Sequence, residues 1–178
     1  MPPIAGCGPG RDLHPDVLAK LMLRMRGGAS ASRARGLAVA AVRETFEETG
    51  LLLSDKIAAG RTWQELVNSG FAPDLSALRY FARAITPPGR TRRFDSRFFV
   101  ADARNILNPD EPSHSGSGEL LEPAWYTFAE ADKLNLPNIT RDILRRLAAF
   151  ISNKRELTPG TPVCLQYQKG KRWREELL

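Results

Sequence analysis

Apolar and polar positions alternate along this chain with two distinct periods. In "HPDVLAKLMLRMRGG", residues 14–28, Val17, Leu18, Leu21, Met22 and Met25 fall on one helical stripe, which Gly27 and Gly28 stop. A small, basic connector, "ASASRARG", follows. From about Leu37 to Gly50 the helical period returns, with Val39, Val42 and Phe46 on one side and Glu44, Glu47 and Glu48 on another. Gly50 stands where a left-handed C-terminal cap is wanted. "TWQELVNSG", residues 62–70, opens on a capping box made by Thr62 and Glu65. "TRDILRRLAAFIS", residues 140–152, is a helix with Thr140 as its cap and Ile143, Leu144, Leu147 and Ile151 as its core stripe.

Runs rich in aromatic and β-branched residues predict strands at "LRYFARAI", "SRFFVADA" and "EPAWYTF", and a last one at "PVCLQYQ" ahead of the basic "KGKRWREELL". "TPPG" and "PSHSGSG" punctuate the gaps as turn and loop. Residues 1–13 are rich in Gly and Pro and show no period. There is no internal repeat and no linker long enough to divide the chain. The expectation is therefore one mixed α/β domain over residues 1–178, with an irregular start (1–13), a helix within 14–28, a carboxylate-bearing helix at 37–50, and a C-terminal strand with a basic tail at 163–178.

Composition adds limits. A chain of 178 residues buries roughly 70% of its unfolded surface, so its core needs neither disulfides nor a structural metal. Cys7 and Cys164 lack metal-ligand or CxxC spacing and read as free thiols in a reducing compartment. No run approaches the roughly 18 apolar residues of a membrane span. "MPPIAGCGPG" has neither the basic nor the apolar region of a secretory signal, so a cytoplasmic location without a membrane is expected. The formal charge of +6 favours anionic partners. The excess is spread over "RARG", "RTRRFDSR", "RDILRR" and "KGKRWR". His14 and His114 are isolated and read as surface residues.

Against that positive balance, "RETFEETG", residues 43–50, crowds three carboxylates onto one helical patch, because positions i, i+3 and i+4 are neighbours. Arg43 can pair with Glu47, but one guanidinium cannot neutralise three acids. A hard divalent cation can: Mg²⁺ takes oxygen ligands and favours a few carboxylates combined with substrate phosphates. The competing reading of the same string is a solvated acidic face.

The string "RETFEETGL" resembles the core of the Nudix signature, in which a Gly, five residues, a Glu and seven residues precede Arg-Glu-aliphatic-x-Glu-Glu-x-Gly-aliphatic. Arg43, Glu44, Glu47, Glu48, Gly50 and Leu51 match, with Thr45 in the first aliphatic place. The upstream half departs: Ala29 stands at the expected Gly and Arg35 at the expected Glu. "ARGLAVAAVRETFEETGLLL", "ARAITPPGRTRRFDSRFF" and "ELLEPAWYTFAEA" look like the branch that includes coenzyme A diphosphatase-like proteins. In that branch an insertion, here the helix at 14–26, precedes the Arg-Glu helix. The resemblance implies an α+β fold with an α/β/α sandwich around a mixed sheet, and Mg²⁺ or Mn²⁺ as cofactor. It implies Glu44 and Glu48 as main metal ligands, Glu47 as a third, and Arg43 as the residue that orients them. Glu119, with Glu122 second, is the candidate for the acidic residue that the family often supplies from outside the box as ligand or general base. Family members begin with strands leading to a Phe-Pro-Gly-Gly-type loop, of which Gly8, Pro9 and Gly10 could be a remnant. The expectation is a fold short of its first strands, whose open sheet edges are compatible with a homodimer.

In "PPGRTRRFDSR", Arg90, Arg92, Arg93 and Arg97 are candidates for clamping a diphosphate, with Arg92, Arg93 and Arg97 taken as substrate-binding. The alternative is a basic hairpin with Asp95 as counter-ion. "KGKRWRE" could bind nucleic acid with Trp173 as a stacking surface, but the preferred reading docks the tryptophan on the domain. Arg141, Arg145 and Arg146 lie opposite the apolar stripe of their helix, which ordinary core packing explains. The function expected is a metal-dependent hydrolase that cleaves a diphosphate bond in a nucleoside diphosphate derivative, a coenzyme A-like compound being one candidate. Its partner would be that small molecule rather than nucleic acid. The rivals are a catalytically inactive Nudix-like ligand-binding protein and a small basic nucleic-acid-binding protein.

Overall fold

A computed structural model describes residues 10–53, 62–107 and 124–178. In chain order the elements are α1 (Pro15–Met22), α2 (Ala31–Thr49), β1 (Leu52–Leu53), α3 (Trp63–Asn68), β2 (Arg79–Ile85), β3 (Asp95–Val100), a 3₁₀ turn (Ala103–Asn105), β4 (Ile106–Leu107), α4 (Phe128–Ala131), α5 (Asn138–Ser152), β5 (Cys164–Lys169) and β6 (Arg172–Leu177). The described residues thus mix α and β structure, with five helices and a four-stranded mixed sheet. They gather into two compact units, one built on residues 10–79 and 99–107 and the other on 80–98 and 124–178. The sequence shows no boundary between them because each unit is assembled from two separated stretches, and no linker marks the division.

The first unit is organised by α2. Ser30 caps its start by accepting from the Arg33 amide, and Gly50 ends it at φ +73° with its N–H on the Phe46 carbonyl. A positive φ of this kind is open to glycine without steric penalty. The helix begins six residues before the expected Leu37. The small residues read as a connector are its buried face: Ala34, Ala38, Val42 and Phe46 recur every four positions, and α1 packs against this helix. Val39, expected on that face, is only half-buried. Phe46 continues into an aromatic chain, with Trp63 at 6.2 Å between ring centroids and Phe71 at 5.8 Å from Trp63. The α3 capping box between Thr62 and Glu65 is present as expected.

Helix α1 ends at Met22, short of Met25. Leu23 is extended and Arg24 takes a positive φ of 52°. The turn is held instead by Arg33, whose guanidinium donates to the carbonyls of Arg26, Gly27 and Gly28. Strands β1 and β4 form a small antiparallel pair, Leu52 opposite Leu107 and Leu53 opposite Ile106.

The second unit holds most of the four-stranded sheet, ordered β3-β2-β5-β6. Strands β2 and β5 are parallel, with Ala82 opposite Cys164, and β5 and β6 are antiparallel, from Cys164 opposite Leu177 to Lys169 opposite Arg172. Gly170, at φ +62°, occupies the first position of the two-residue turn, as a type II′ hairpin requires. Tyr80, Phe81, Ala82, Val163, Cys164 and Leu165 are buried here.

Three sequence expectations fail in this unit. The basic tail is strand β6, with every residue exposed. Of "EPAWYTF", residues 124–127 form no strand: Thr127 and Glu130 make a capping box that starts α4 instead, a Thr-x-x-Glu helix signal overriding the aromatic run. Helix α5 starts at Asn138 with no side-chain cap, so Thr140 does not serve as one. Its contacts run through Ile143 and Phe150, the latter edge-on to Phe81 at 6.0 Å, while Ile151 is 51% exposed. No helix among the described residues is long and apolar enough to cross a membrane.

Candidate functional site

The last two turns of α2 carry the acidic patch. Glu44 and Glu48 are exposed and Glu47 is half-exposed. Arg43, only 14% exposed at its side chain, forms ion pairs with Glu44 and, at 3.5 Å, with Glu47. Its buried Nε finds no hydrogen-bond partner among the described residues. Glu48 has no ion pair or hydrogen bond among them. Three acids and one arginine leave the patch at −2. It also sits at the negative end of the helix dipole, where no basic residue of the last turn offsets it.

Such a patch is locally destabilising, by repulsion at i,i+4 and by opposition to the dipole. One divalent cation would cancel its charge, and carboxylate oxygens are the donors that Mg²⁺ or Mn²⁺ takes. The residues therefore fit such an ion in kind and in charge. Among the described residues no three His, Cys, Asp or Glu side chains are gathered into a ready-made cage. Arg35, at the position where the resemblance calls for Glu, is instead paired with Asp12 at 2.7 Å. That contact ties α2 to the segment before α1, and the hydrogen bond from Arg35 is the main cause holding the Asp12 carboxyl below its ordinary value.

The candidate phosphate-binding arginines belong to the second unit and divide into two kinds. Arg92 and Arg93 are exposed in the loop between β2 and β3, with Arg93 donating to the Thr86 carbonyl at 3.4 Å. Arg97 is not an open clamp. Its side chain is 9% exposed and donates to the backbone carbonyl and the carboxylate of Asp95. Asp95 also takes both Nε and an Nη of Arg83, each at 2.7 Å. Arg83, 2% exposed, is the residue that the sequence reading missed. Its only signal was an arginine inside the apolar stretch from Tyr80 to Ile85. Burial pushes the Asp95 carboxyl up, but the two guanidinium groups outweigh it and leave it below its ordinary value. Beside them burial raises the Tyr80 hydroxyl to about 12.

Elsewhere, Arg146 of α5 holds Glu175 of β6 through two bonds of 3.0 and 2.6 Å. Arg145 pairs with Asp132 at 2.7 Å. His14 caps α1, its Nδ1 accepting from the Asp16 amide. A cleft of about 260 Å³ lies between α4 and α5, lined by Phe128, Ala131, Arg141 and Leu144 among others. Glu119, Glu122, His114 and Cys7 lie outside the described residues. Compared with known proteins, the chain matches no family model, no curated protein and no solved structure.

Proposed function

We propose that this chain is a Nudix-like hydrolase whose α2 carboxylates hold Mg²⁺ or Mn²⁺ and which cleaves a diphosphate bond in a nucleoside diphosphate derivative. The observation that carries the reading is the acidic patch of α2: an uncompensated −2 at a helix C-terminus, ordered by a half-sequestered Arg43, in a string that resembles the Nudix box. Glu44, Glu47 and Glu48 would hold the ion, and Arg43 would fix the directions of Glu44 and Glu47. When bound, the ion would supply charge neutralisation at the phosphate oxygens and a more acidic water. The chain's own contribution is to present acceptors only, with nothing among the described residues drawing Glu48 away. Within the second unit, Arg92 and Arg93 are exposed and open to an anion, whereas Arg97 is committed to Asp95.

Calorimetry with Mn²⁺ or Mg²⁺ on the chain and on its Glu44→Gln/Glu48→Gln variant tests this. Binding that the double variant loses, followed by metal-dependent release of phosphate-containing products from a panel of nucleoside diphosphate derivatives, is the expected outcome. Equal, negligible heat from both folded proteins would sink it.

One contact favours a second reading, a Nudix-like binding protein without catalysis. The Arg35–Asp12 pair puts a structural cation where the resemblance calls for an acid. On that reading the metal and a diphosphate ligand bind, yet no product forms over the whole panel.

A further inference from the structure

The tip of the β5–β6 hairpin carries charge and aromatic surface that the acidic patch does not use. Lys169, Lys171, Arg172 and Arg174 are all exposed, and none forms an ion pair with any described residue. No acid interrupts residues 168–174. The two acids next along β6 are exposed and engaged by other groups: Glu175 is held by Arg146, and Glu176 accepts from the Tyr167 hydroxyl. The four cations of the tip are thus unpaired among the described residues, and the nearest acid on their face is Glu176, two residues beyond Arg174.

The tip also carries one unfavourable cross-strand pair and one exposed aromatic ring. Lys169 stands directly opposite Arg172, and like charges facing each other across an antiparallel pair are destabilising. Trp173, opposite Gln168, is 61% exposed rather than docked, contrary to the sequence expectation. Local conflicts of this kind concentrate where a surface has another task.

We infer that this hairpin tip binds single-stranded nucleic acid, with Lys169, Lys171, Arg172 and Arg174 on the phosphates and Trp173 stacked on a base. Cations and an exposed aromatic ring are the two components of such sites. Their placement selects the partner. Opposite residues share a face, so Lys169, Arg172 and Arg174 lie on one face and Trp173 on the other. A flat anionic membrane cannot engage both faces of a strand together. A flexible polyanion can pass around the outer edge of β6, the last strand of the sheet, and touch both. A duplex, its bases already stacked, has nothing to offer Trp173. The inference is independent of the metal site.

Fluorescence anisotropy with a labelled oligothymidylate, across a range of salt, tests it on the full chain. Four phosphate contacts predict a log–log salt slope near −2.8, and Arg172→Ala/Arg174→Ala should reduce it by about 1.4. Trp173→Ala should weaken binding roughly tenfold or more while leaving the slope unchanged, and intrinsic fluorescence should be quenched by the oligonucleotide in the parent alone. Arg104→Ala/Lys133→Ala, which removes two exposed cations elsewhere, should bind as the parent does. Matched urea midpoints would show that the hairpin variants stay folded. The proposal is overturned if the charge control and the hairpin variants lose affinity equally, if a duplex competes as well as a single strand, if oligonucleotide binding is absent, or if vesicles containing phosphatidylglycerol bind through Trp173 while the oligonucleotide does not.

Discussion

The carboxylate of Asp95 is shared by two arginines, Arg83 and Arg97, of which Arg83 is 2% exposed and bound through two parallel hydrogen bonds of 2.7 Å. Neutralising Asp95 would leave two sequestered guanidinium groups side by side. Asp95→Asn should therefore destabilise the fold by about 3 kcal/mol, within the range for breaking a buried pair by loss of one partner. Urea unfolding of the variant beside the parent checks the figure, and an unchanged midpoint would mean that the pair contributes nothing net.

The same site gives a pH dependence. The Asp95 carboxyl lies below its ordinary value of 3.8, so the unfolded chain binds the more protons as the solution is acidified. Its stabilisation is complete above that value and is lost as pH falls through the lower folded-state one. Asp12, held by Arg35, and Glu175, held by Arg146, act in the same direction. Urea midpoints should fall steeply below about pH 4, and Asp95→Asn should flatten that fall.

Substitution at Gly50 probes the end of α2. An alanine there must adopt φ near +73°, at a cost of about 1–2 kcal/mol. Thermal unfolding should show Gly50→Ala well below the parent, with Gly50→Asn losing less.

At the acidic patch, stability and metal affinity should move in opposite directions. Glu48→Lys places a cation one turn after Glu44 and at the negative end of the helix, which should stabilise α2 by about 0.5 kcal/mol. The same change should abolish Mn²⁺ binding. A variant that is both more stable and still binds metal would remove Glu48 from the ligand set.

Cys164 is buried at the start of β5, where burial raises its thiol despite the nearby Arg146. In a Cys7→Ser background the native protein should react negligibly with an aromatic disulfide reagent at neutral pH and release one equivalent once unfolded in urea. Fast native labelling would contradict the burial.

The sequence made legible those elements whose own residues carry the instruction. The Thr62–Glu65 box, the Gly50 cap and the strand at Arg79–Ile85 each follow from a few adjacent positions. Features that depend on distant partners were obscure. "ASASRARG" resembled a connector because alanines signal little until a second helix covers Ala34 and Ala38. "KGKRWREELL" resembled a tail because its charges hide a period of two, and only pairing with β5 makes it a strand. At the candidate sites, the Arg43–Glu47 contact was visible from spacing alone. The role of Arg83 was not, since its partner lies 12 residues away across a turn.

The parallel pairing of β2 with β5 joins Ala82 to Cys164, positions separated by 82 residues. During synthesis at roughly 5–20 residues per second, β2 would wait about 4–16 s for that partner. Over that interval only β3 could pair with it, and the edge of β2 that β5 later covers would face the nascent chain and solvent. Refolding from denaturant should likewise be governed by this distant closure, because its loop entropy must be met before the sheet's contacts can repay it.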